Sequence, residues 1–98
     1  MWNVPTAPAE QRAATPSTIP TLMLSGSFDA ILPASWARLA ARTLTNSTVL
    51  QFAGVGHAVT FASPCAQQVF ASFLAIPNAP DTACVAKLRP PTFVPAPR

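Results

Sequence analysis

The chain has 98 residues, half of them apolar, and a formal net charge of +3, which suits one small domain with a modest core and excludes a polar, disordered chain. Its six Lys and Arg residues are scattered and lack interleaved aromatics, which argues against a nucleic-acid partner. No apolar run nears the roughly 18 residues of a membrane span, and the opening MWNVPTAPAEQ lacks the charged and apolar regions of a signal peptide.

Ten of the twelve prolines crowd the two ends. They divide the chain into a Pro-rich segment 1–20, a core 21–76 and a Pro-rich tail 77–98 that contains Cys84. The core opens on TLMLSG, a continuous apolar run ending at glycine, the pattern of a strand covered on both faces in a parallel sheet. SFDAILP follows as a loop, and Pro33 suits the first turn of a helix. Across ASWARLAARTL, Trp36, Leu39, Ala40 and Leu44 recur at helical spacing while Arg38 and Arg42 point elsewhere, which predicts an amphipathic helix with that stripe inward. NSTVLQFAG is β-branched and apolar with Gln51 interrupting, a strand nearer the sheet edge. A glycine loop carrying His57 comes next. In SPCAQQVFASFLAI, Ser63 is placed to cap a helix that starts at Pro64, with Val69, Phe70, Phe73 and Leu74 as its apolar stripe. Strand, helix, strand, helix in that order predicts an α/β fold with parallel strands and right-handed crossovers.

In an open parallel sheet, functional residues gather in the loops beyond the carboxyl ends of the strands. Asp29 follows the first strand and His57, the sole histidine, follows the second, so both emerge at one edge. Asp29 alone suits a loop or helix-entry cap, and a lone histidine among glycines suits a plain loop residue. Together they have the makings of an acid–base pair, in which a carboxylate fixes the imidazole tautomer and leaves the other ring nitrogen as base. No serine stands in G-x-S-x-G, the strained turn that presents a hydrolase nucleophile, and no HGGG-type oxyanion motif is present. Ser25 and Ser27 are expected to be loop or backbone-capping residues. Cys65 and Cys84 read as buried thiols or as a disulfide; with one distant histidine they make a poor metal set. No metal or cofactor is expected.

The segments IPTLMLSGSFDAILPASW, NSTVLQFAGVGHAV and SPCAQQVFASFL, with the later DTAC, resemble the C-terminal region of secreted α/β-hydrolases of the tripeptidyl aminopeptidase type, the TAP-like C-terminal domain. The resemblance runs from about Trp2 to Phe93. It implies the C-terminal β-α-β-α portion of an α/β-hydrolase fold with an incomplete sheet, Asp29 as triad acid, His57 as triad base and a Cys65–Cys84 disulfide. It further implies a serine peptidase that releases short peptides from a free amino terminus, exported or held in the cell envelope, with a peptide or ester as substrate. The nucleophile and the substrate-binding residues would then lie in an N-terminal hydrolase portion, and this chain alone would be inactive. An alternative is a non-catalytic truncated product or a small α/β interaction module. On the hydrolase reading, the unpaired edge at Leu22, Met23 and Leu24 is expected to make the isolated chain poorly soluble or prone to associate with another chain, and the N-terminal hydrolase portion is expected to relieve this.

Overall fold

The structure, a computed structural model, describes residues 2–98. Strands β1 (Thr21–Gly26) and β2 (Ser47–Phe52) pair in parallel, with Thr21 opposite Ser47 and Gly26 opposite Phe52. Between them runs helix α1 (Ala34–Ala41), and after them a one-turn helix α2 (Val59–Ala62) and the longer α3 (Pro64–Ala75). Short 3-10 helices at Ala9–Arg12 and Val85–Lys87 flank this unit. A further parallel bridge joins Ser17 to Leu44 ahead of the strands. The sheet has only these two strands among the described residues, so each keeps one edge without a strand neighbour.

Helix α3 starts as its sequence predicts. Ser63 is the N-cap and its Oγ accepts from the Ala66 N–H at 3.3 Å, with Pro64 at the first helical position, where its missing N–H costs nothing. The helix buries Cys65, Ala66 and Val69. These join Phe52 and Val59 in the core, against which Leu22, Leu24, Leu50, Val55, Val85 and Leu88 pack. Phe73 is half-buried, but Phe70 and Leu74 are exposed, so the inward stripe lies closer to the start of α3 than the spacing predicts. The reason is local: the start of α3 is tied to the tail by a disulfide between Cys65 and Cys84 (Cα–Cα 5.8 Å), which brings Val85 and Leu88 onto that end.

Helix α1 departs further from expectation. It ends at Ala41, with Pro33 just before it as N-cap in an extended conformation. Ala34 is buried and Ala37 and Ala41 are half-buried, whereas Trp36 and Leu39 are each 62% exposed. Of the stripe expected inward, Trp36, Leu39 and Ala40 therefore point out, while Leu44 lies beyond the helix and is half-buried. Alanines at i, i+3 and i+7 let the helix lie close to the narrow sheet, and the large side chains line open clefts in which they stay mostly exposed. The alternation of β1 serves both faces: Leu22 and Leu24 meet the core cluster, while Met23 shares a cleft with Trp36 and Ala37.

The Cα radius of gyration is 17.2 Å, with extents of 54 × 43 × 21 Å, against about 13 Å for a compact domain of this length. Large exposed apolar residues run from Trp2 and Ile19 through Phe28, Ile31 and Trp36 to Phe61 and Phe93. A chain of this shape has more apolar surface than its own elements cover. No helix among the described residues is long and apolar enough to cross a membrane.

Candidate active site

Two loops leave the carboxyl ends of the paired strands. After β1, the chain turns at Gly26, where the Asp29 N–H donates to the Gly26 carbonyl at 3.2 Å. One carboxylate oxygen of Asp29, Oδ1, accepts from the backbone N–H groups of Ile31 at 2.8 Å and Leu32 at 3.0 Å. That is the helix-entry turn expected of an aspartate before Pro33. The other oxygen, Oδ2, lies 2.9 Å from Nδ1 of His57, which stands on the loop after β2. The two roles open to Asp29 thus coexist, one on each oxygen: the turn clamps the carboxylate and the clamped carboxylate meets the imidazole.

The side chain of Asp29 is 4% exposed and that of His57 54%, so the acid is enclosed and the imidazole faces solvent. The Leu32 N–H is the largest influence holding the Asp29 carboxyl below its ordinary value, helped by the His57 hydrogen bond and the Ile31 N–H; desolvation opposes this without cancelling it. The carboxylate is ionised at neutral pH and can only accept. Nδ1 of His57 therefore carries the donated proton, and Nε2 hydrogen-bonds to no group among the described residues.

His57 stands between two clefts. One, of about 310 Å³, is lined by Met23, Ser25, Asp29, Trp36 and His57. The other, of about 370 Å³, lies on the side without Asp29 and is lined by Leu24, His57, Val59, Thr60 and Phe61. Helix α2 forms its wall. That turn has no side-chain cap, and nothing in VTFA distinguishes it from the loop expected there.

The remaining residues singled out in the sequence fall as follows. Ser25 is buried near the end of β1 beside Asp29 and His57, and Ser27 accepts from the Gly54 N–H at 2.8 Å, a contact between the two loops that the sequence did not suggest. Cys65 and Cys84 are bonded to each other.

A parallel β-α-β unit closed by a further helix, together with the family match, gives the class: the chain is part of an α/β-hydrolase fold. Within that class the chain belongs to the TAP-like protein family, whose family model matches residues 1–85, a span that includes Asp29, His57 and both cysteines. No curated protein and no solved structure matches the chain.

Proposed function

We propose that the chain supplies the acid and base of a serine α/β-hydrolase that cleaves short peptides from a free amino terminus, with the nucleophile coming from outside these 98 residues. The observation that carries this reading is the 2.9 Å contact between Asp29 Oδ2 and His57 Nδ1 at the common edge of the two strands. In this mechanism Nε2 of His57 takes the proton from a serine hydroxyl as its oxygen attacks the acyl carbon. The imidazolium is stabilised by ionised Asp29 and then returns the proton to the leaving amine. Asp29 is not protonated at any step, in keeping with a carboxyl held below its ordinary value by the Leu32 and Ile31 N–H groups.

The preference for peptides over esters rests on the resemblance to tripeptidyl aminopeptidases. Residence outside the cytoplasm is supported by the Cys65–Cys84 bridge, which persists in oxidising compartments. The uncovered apolar surface supports a further hydrolase portion as the structural partner.

The test is to join the chain to a TAP-like N-terminal portion carrying a G-x-S-x-G serine and to measure hydrolysis of tripeptide anilides and p-nitrophenyl esters. The chain alone is expected to hydrolyse neither, because it has no activated nucleophile. The joined protein is expected to release tripeptides, and His57→Ala to abolish that release. Turnover by the purified chain alone that disappears in His57→Ala would show an activated serine within it, and joined protein that still works after His57→Ala would remove His57 from the mechanism.

A further inference from the structure

Asp29 and His57 sit on different loops, so their 2.9 Å contact depends on the relative placement of those loops. Backbone bonds from the strand ends begin the work: Ser27 N–H donates to the Phe52 carbonyl at 2.9 Å and Phe28 N–H to the Val55 carbonyl at 3.0 Å. Gly26 permits the close approach, since a Cβ there would collide with the carbonyl oxygens of Val55 and Gly56. These contacts fix residues 52, 55 and 56. They leave Gly54, whose φ of +74° makes it the bend of the histidine loop and takes its N–H out of the strand ladder.

That N–H has one protein acceptor, the Ser27 hydroxyl at 2.8 Å. On the other side of Gly54 a Cβ would come within 2.9 Å of Pro91 Cδ. Pro91 belongs to the tail that Cys84 anchors to Cys65, so Gly54 is held between a hydroxyl from the acid loop and a proline from the bridged tail. Among the described residues, Ser27 is the one side chain, apart from Asp29 itself, that hydrogen-bonds from the loop after β1 to the histidine loop.

We propose that Ser27 is a positioning residue for the acid–base pair: its hydroxyl accepts from Gly54 and sets the histidine loop so that His57 Nδ1 meets Asp29 Oδ2. Ser27 touches neither partner and acts through the loop. The proposal rests on the reading of Asp29 and His57 as acid and base.

The chain has a single histidine, so nitrogen NMR of the isotope-labelled chain reports the tautomer of His57 without ambiguity. Ser27→Ala is expected to shift the ratio of Nδ1–H to Nε2–H tautomer away from Nδ1–H by about fivefold, the equivalent of one neutral hydrogen bond. Ser27→Thr, which keeps the hydroxyl, should restore the wild-type ratio; an intact Cys65–Cys84 bridge and unchanged circular dichroism in both variants exclude a general loss of fold. Asp29→Asn separates the two levels of the argument. If it collapses the Nδ1–H tautomer while Ser27→Ala does not, the pair stands and Ser27 has no positioning role. If neither changes the ratio, the pair is not formed and the proposal falls with it. Amide exchange in the unmodified chain supplies a test without mutation: Gly54 is expected to exchange at least tenfold more slowly than an unbonded glycine amide, and exchange at the unbonded rate would overturn the proposal.

Discussion

Helices α1 and α3 each follow a strand, yet they are finished to different degrees. Helix α3 has a serine cap, a proline at its first position and a disulfide at its start, and it buries Cys65, Ala66 and Val69 into the core around Phe52. Helix α1 has no side-chain cap, buries only Ala34 and presents Trp36 and Leu39 to solvent. The buried apolar core lies on the α3 side. The α1 side is a surface with the composition of an interior, which is what a portion of a larger α/β layer structure shows where its neighbouring elements belong.

Mutations should sort along that division. Phe52 is fully buried in the α3-side core, and Phe52→Ala is expected to destabilise the chain by about 3–5 kcal/mol, the cost of a large cavity that cannot collapse. Denaturant unfolding gives the value; a loss below 1 kcal/mol would mean that this core does not hold the fold. Opening the Cys65–Cys84 bridge by a double Cys→Ala substitution should cost about 3 kcal/mol for a loop of this size, and non-reducing peptide mapping shows whether the bridge forms at all. Ser63→Ala removes the cap on Ala66 and should cost about 1 kcal/mol, with Ser63→Asp close to neutral. Trp36→Ala sharpens the comparison from the other side. A buried tryptophan would cost several kcal/mol, whereas this one should change the stability of the chain by less than about 0.5 kcal/mol. A large loss at Trp36 that grows with protein concentration would show that a second copy of the chain covers the α1 face.

Acid tests the loop edge common to both sides. The Asp29 carboxyl titrates below its ordinary value in the folded chain, so the unfolded chain takes up the proton first as pH falls. The stability Asp29 contributes is therefore complete above about pH 4, the ordinary aspartate value, and is lost progressively as pH falls from there through the folded value. Asp29→Asn should flatten that part of the stability profile, and an unchanged acid limb in the variant would show that Asp29 is not what gives way.

Much of the α3 side was legible in the sequence because its signals are local and strong. Ser63-Pro64 marks a helix start whatever surrounds it, and TLMLSG and STVLQF can be little but strands between turn residues. The proximity of Asp29 to His57 was legible for a topological reason: consecutive parallel strands deliver their carboxyl-end loops to one edge. The orientation of α1 was not. Periodicity locates an apolar stripe, but its direction depends on what lies opposite, and three alanines on the other face offered the sheet a closer fit. The Ser27–Gly54 bond was illegible because it requires the positive φ of Gly54 and the approach of two loops separated by 27 residues. The disulfide follows from family resemblance; the spacing of the cysteines alone leaves free thiols open.

The central claim is that Asp29 and His57 work as one acid–base unit, and the kinetics of Asp29→Asn in the joined hydrolase test it most directly. An asparagine keeps the size of the side chain but does not enforce the Nδ1–H tautomer or stabilise the imidazolium. With them coupled, kcat of the variant falls by about 10⁴-fold with KM little changed, the pattern of a residue that acts on the transition state. A variant that keeps kcat within tenfold of the parent, or that loses only substrate affinity, would contradict it.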